Sequence, residues 1–217
     1  MSISSNFEFS LDALLTTWQE SLTDLANSGR LLNAAQEALL LDEIPDALET
    51  LIQQWQQEDF SQLPEIDLLP SSSMSGAMGA YARSNETVYL NEDWLATASE
   101  EEAVAVLTEE LGHHLDNVVN EENTPGDEGA IFSRLVREMN ISSEKLEALK
   151  QEEDQTSLLI EGETLVVEQS FPAELELSSL DGNNGFTLNG VNQADESGES
   201  VSSAGDVNGD GIDDLII

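Results

Sequence analysis

Apolar residues recur every three or four positions from the tenth residue onward. Leu11, Leu14, Leu15, Trp18, Leu22 and Leu25 fall on one stripe. That period predicts an amphipathic helix to about Asn27, capped by Ser10 and stopped at Ser28-Gly29. A second helix is expected over about Leu31 to Leu41. A third carries Leu48, Leu51, Ile52 and Trp55, with Pro45 in its first turn. Pro64, Pro70 and a run of serines predict a loop over 61–76. Residues 80–91 read as a hairpin or strand ending on Thr87 to Leu90. Ser99 and Glu102 form a capping-box pair and open a long helix to about Val119. On it Val104, Leu107, Leu111, Leu115 and Val118 make an apolar face, with Glu109, His113 and Asp116 clustered opposite and Glu110 between. A loop over 120–126 precedes a helix over 127–139 and a short helix over 143–150. Strands are expected at 158–160 and 164–167 about a turn at 161–163, and again at 174–180 and 185–189.

The pattern gives an α+β fold in four parts. They are a helical region over 1–62, an α+β domain over 63–150, a β-rich connector over 151–179 and a β segment over 180–217. Composition supports a change of character along the chain. All six basic residues (Arg30, Arg83, Arg134, Arg137, Lys145 and Lys150) precede position 151, and the end is rich in Gly, Asn, Asp and Ser.

Charge narrows the partners. The 217 residues carry 45 acidic side chains and a formal net charge of -39. Such a surface repels nucleic acid and anionic membranes and attracts cations. With no cysteine, disulfides and thiolate metal sites are excluded. No apolar run is long enough for a membrane span. The first ten residues lack the basic and apolar regions of a secretory leader. An extracellular or cell-surface location would therefore need another export route, such as a C-terminal signal beyond Ile217. A cytoplasmic location is the alternative.

The sharpest local signal is Asp206-Val-Asn-Gly-Asp-Gly-Ile-Asp-Asp214. Calcium takes six to eight oxygens. Asp206, Asn208, Asp210, the backbone carbonyl of Ile212 and Asp214 stand at alternate loop positions, where they supply them. Position 12 is Ile217 rather than glutamate and the flanks are strand-like, so this is not an EF-hand. With Gly185-Phe-Thr-Leu-Asn-Gly190 and Ser200 to Gly205, the segment resembles an FG-GAP repeat of the integrin α-subunit propeller type. The resemblance spans about 180–217. It implies one blade with calcium between its strands, and a role in adhesion or recognition of an extracellular protein or glycan. One blade cannot close a propeller, so a longer repeat protein is expected.

A second resemblance lies in Glu109-Glu110-Leu-Gly-His113-His114-Leu-Asp116. It is similar to the zincin metallopeptidase helix, H-E-x-x-H, over about residues 74–139. The resemblance implies that Glu110 is the catalytic base and His113 a metal ligand, with Glu109 in place of the first histidine and Glu128 as third ligand. It further implies that strand 87–90 aligns substrate at a sheet edge. A Glu109–His113–Glu128 set is anionic and suits zinc, manganese or iron. Loss of the first histidine points first to a domain that has lost activity, with an active metallopeptidase as the alternative. A surface pairing of His113 with Glu109 and Asp116 is the plainer alternative.

Overall fold

The computed structural model describes residues 10–139, 141–152, 154–160 and 162–171, together with two strands at 202–205 and 214–216. It divides into two units, Met1–Leu175 and Glu176–Ile217.

The first unit opens with three helices, α1 (Leu11–Ser28), α2 (Arg30–Ala38) and α3 (Asp46–Gln56). Ser10 caps α1 by accepting from the Ala13 amide, and Gly29, at φ 77°, ends it. Pro45 stands at the N-cap of α3, one position earlier than expected. Trp18 and Trp55 are buried in the core that these helices make.

Five strands form one mixed sheet: β1 (Glu65–Leu69), β2 (Gly79–Ala82), β3 (Thr87–Asn91), β4 (Gln155–Ile160) and β5 (Glu163–Ser170), in the order β1-β3-β2-β5-β4. Only the β1–β3 pairing is parallel. Between strands lie α4 (Ser71–Met74), α5 (Glu92–Leu95), α6 (Glu100–Val119), α7 (Glu128–Val136) and α8 (Ser143–Leu149). The fold is α+β, with eight helices and a five-stranded sheet among the described residues.

Three features differ from expectation. First, β1 occupies the segment read as a loop. Prolines at 64 and 70 flank it rather than interrupt it, and such positions leave the pairing groups of a strand intact. Second, β1 covers the outer side of β3, so Thr87–Leu90 is interior and the sheet edges are β1 and β4. Third, α6 has no solvated polar face. Glu110, His113, His114 and Asp116 are as buried as Leu107, Leu111 and Leu115, whereas Val118 is exposed. Helices pack on one side of α6 and strands β2 and β5 on the other. The capping box that starts α6 has both its hydrogen bonds.

The N-terminal helices and α6 share one hydrophobic cluster with β3, α7 and α8. The helical region and the α+β domain are therefore one body, and β4 and β5 complete its sheet. A smaller cluster of Met74, Ala77, Ala80, Ala82, Tyr89, Leu158, Ile160 and Val167 includes residues of four strands.

In the second unit, β6 (Ser202–Gly205) and β7 (Asp214–Ile216) pair antiparallel, with Gly205 opposite Asp214. Asp206, Asn208, Asp210 and Ile212, and the strands expected at 174–180 and 185–189, lie outside the described residues.

Candidate metal centre

The buried polar residues of α6, α7, β4 and β5 converge on one imidazole. His113 is fully buried, and its Nδ1 lies 2.8 Å from Glu128 Oε1 and 3.6 Å from Glu168 Oε2. Its Nε2 lies 3.7 Å from Asp154 Oδ2. Ligand atoms of His113, Glu128 and Glu168 fall within 4.8 Å of one another, and so do those of His113, Asp127 and Asp154.

Local sequence explains each placement. Glu110 and His113 are three apart on α6, so both face the sheet and α7. Asp127 is the N-cap of α7, accepting from the Ala130 amide at 2.7 Å, and Glu128 follows in the first turn. Glu168 and Ser170 are two apart on β5 and point to the same side. Ser170 Oγ donates to Glu110 Oε1 at 2.5 Å. The close crossing of α6 over α7 requires glycine at both helices. A Cβ at Gly112 would stand 2.7 Å from Gly129 Cα, and one at Gly129 would stand 2.5 Å from His113 Nε2.

The electrostatics are those of carboxyls removed from water around one base. Burial pushes Glu110 well above the usual carboxylate range, with His113 and Ser170 pulling back. Burial likewise raises Asp154 to about 7 and raises Asp127 and Glu168. Glu109 is raised to about 7 by burial and by Asp127. Burial works against a charged His113, but Glu128, Glu168 and Glu110 outweigh it and hold its pKa well above that of a free imidazole.

Hydrogen bonding leaves this cluster incomplete. Glu110 Oε2, His113 Nε2, Glu128 Oε2, Asp154 Oδ2 and Glu168 Oε2 are buried without a partner. Buried polar atoms are ordinarily paired, and four orphaned carboxylate oxygens about a ring with an orphaned nitrogen of its own are what bound divalent cations would satisfy. Ligands about 2.0–2.2 Å from a tetrahedral ion stand roughly 3.3 Å apart. The 2.8 and 3.6 Å separations at Nδ1 bracket that value.

Of the expected ligands, His113 and Glu128 are brought together, and Glu110 stands beside them. Glu109 belongs to neither set of mutually close ligand atoms. Nor does Asp116 pair with His113. It accepts from Arg83 Nη1 at 2.7 Å, from Asn120 Nδ2 at 2.7 Å, and from the amide and hydroxyl of Thr124. His114 is separate too. Its Nε2 donates to the Gln62 carbonyl at 3.2 Å, leaving Nδ1 to accept from the Tyr81 hydroxyl at 3.0 Å. Burial lowers the pKa of His114, in keeping with a neutral ring.

Glu168, Asp154, Asp127 and Ser170 were not anticipated. The one signal for Glu168 is a charged residue directly after Leu165-Val-Val167 in a strand. Asp154 sits in an acidic run that gives no such cue.

A groove of about 490 Å³ opens on the sheet beside this cluster, and Tyr81, Arg83, Gln155, Val166 and Glu168 are among its lining residues. Val166 and Leu159 stand exposed on the same part of the sheet.

Comparison of the chain with protein-family models, with curated proteins and with solved structures finds no match in any of the three. No described helix is long and apolar enough to cross a membrane.

Proposed function

We propose that the first unit is a metal-dependent hydrolase domain of the zincin kind. Its divalent cation is held by His113, Glu128 and Glu168, and Glu110 serves as the base. The observation that carries this reading is the approach of Glu128 and Glu168 to His113 Nδ1, with Glu128 Oε2, Glu168 Oε2 and Glu110 Oε2 all buried and without a partner. A bound cation there would polarise a water molecule or a substrate carbonyl. The protein's own groups have definable parts. Ser170 holds one Glu110 oxygen, leaving the other free to take a proton. The Gly112–Gly129 crossing keeps the His113 ring against Glu128. The groove over β2 and β5 brings a substrate strand to Glu168. One nitrogen among oxygens suits zinc, manganese or iron. The substrate-side edge is then β4, not Thr87–Leu90.

Metal content measured on purified protein tests this. About one equivalent or more of a transition metal is expected in the parent, and under about a tenth in His113→Ala. Equal content in both would remove the proposal.

A second activity rests on the other unit. The antiparallel register places Gly205 opposite Asp214, so the ends of the segment carrying Asp206, Asn208, Asp210 and Ile212 meet. Flanking strands paired in this register support a calcium loop of the FG-GAP kind, with adhesion or recognition outside the cell as its use. Calorimetric titration with calcium should show binding in the parent and a loss of at least about tenfold in affinity in Asp210→Ala. Unchanged affinity in that variant would overturn the assignment.

A further inference from the structure

The His113 ring has carboxylates on both of its nitrogens. Glu128 and Glu168 face Nδ1. On the other side, Asp154 Oδ2 stands 3.7 Å from Nε2, and Asp127 completes a second set of ligand atoms within 4.8 Å. This second set does not rest on acidity alone. His113 Nε2 and Asp154 Oδ2 are both buried and both lack a hydrogen-bond partner. The side chain of His113 is 0% exposed and that of Asp154 is 6% exposed. Asp127 spends one oxygen on the Ala130 amide and keeps the other. No lysine or arginine forms an ion pair with Asp127 or Asp154 among the described residues.

We propose that His113 is shared between two divalent-cation sites, the second formed by its Nε2 with Asp127 and Asp154. This rests on the reading of Glu128 and Glu168 as ligands of the first. Filling both sites requires both ring nitrogens to act as donors. The imidazole then gives up its remaining N–H proton to bulk water and bridges the two ions as imidazolate. Asp127 is the N-cap of α7 and Glu128 its first helical residue, so two consecutive residues contribute one carboxylate to each set around the ring. The second ion has an all-carboxylate environment apart from the shared nitrogen. It therefore suits manganese, magnesium or zinc rather than a soft metal.

The test is zinc stoichiometry of the full chain. Protein is stripped with chelator, loaded with excess zinc, passed through a desalting column and analysed for metal. His113→Ala serves as the blank for zinc held by the acidic surface. The expected result is two equivalents above the blank in the parent, and one in each of Asp154→Asn, Asp127→Asn and Glu168→Gln. Both aspartate variants keep the side-chain shape, and Asn can still cap α7. Far-UV circular dichroism verifies that each has folded. One equivalent in the parent, unchanged by Asp154→Asn and Asp127→Asn but lost in Glu168→Gln, would overturn the second site and leave the first. One equivalent lost in the aspartate variants but kept in Glu168→Gln would overturn the Glu128–Glu168 reading and the sharing with it. A parent equal to the blank would remove both. As a second readout, manganese-loaded parent should show the electron paramagnetic resonance of a spin-coupled pair. Asp154→Asn should show isolated ions.

Discussion

Asp116→Ala should lower stability by about 3–5 kcal/mol, the cost of breaking a buried ion pair and its supporting hydrogen bonds. Asp116 is fully buried, and Arg83, Asn120 and Thr124 all donate to it. Arg83 also reaches Asn123 Oδ1 at 2.7 Å and the Asn120 carbonyl at 3.2 Å. Removing the carboxylate therefore strips partners from the whole turn that leads to Asp127 and Glu128. For a unit of this size the midpoint of thermal unfolding should fall by roughly 6–20 °C. Arg83→Ala should cost less, because Asp116 keeps Asn120 and Thr124. Differential scanning calorimetry of both variants decides the matter. A change under about 1 kcal/mol for Asp116→Ala would mean that the turn is held by something else.

The second large effect is an inversion of pH dependence by metal. In chelator-treated protein, Asp154 titrates at about 7 against an ordinary 3.8, and Asp127, Glu110 and Glu168 are also raised. A carboxyl whose folded pKa is raised binds more protons folded than unfolded between those two values. Stability therefore falls as pH rises through that window. The raised His113 acts in the same direction, since its stabilising proton is lost as pH climbs through the folded value. The metal-free domain should thus be more stable at pH 5 than at pH 8, by on the order of a few kcal/mol at about 1.4 kcal/mol per tenfold change in proton affinity. With zinc or manganese present the order reverses, because cations bind deprotonated ligands. Saturation at 1,000 times Kd adds about 4 kcal/mol. Melting curves at pH 5 and 8, with chelator and with metal, would show the crossing. A metal-free protein more stable at pH 8 would contradict the arrangement of charges around His113.

Much of this was legible in the chain. Helical periodicity placed α1, α3 and α6, because each keeps leucines at three- and four-residue spacing over several turns. Ser10 and the Ser99–Glu102 pair marked two starts within a residue. The α6 motif led to His113, Glu110 and Glu128. The misses have physical causes. Five residues between prolines, Glu65 to Leu69, carry too little pattern to announce a strand. The polar positions of α6 looked solvated because periodicity reports only that a helix has two faces. Here both faces are covered, one by helices and one by β2 and β5. The motif puts a ligand at Glu109, whereas the carboxylate that stands close to His113 Nδ1 beside Glu128 comes from the sheet, at Glu168. That placement depends on pairing 79–81 with 168–170, about 90 residues apart, and no local reading contains it.

The same pairing bears on how the protein is made. Glu110 belongs to a helix near the middle of the chain, and Ser170, sixty positions later, holds its carboxyl. Glu168 comes from that same last strand of the first unit. A ribosome emits the helices first, so for several seconds of synthesis at about 5–20 residues per second the nascent domain has its acidic helix but not the strand that closes over it. Cation capture in the proposed centre is therefore a late event. A chain released before residue 170 would leave an acidic helix without its lid of sheet.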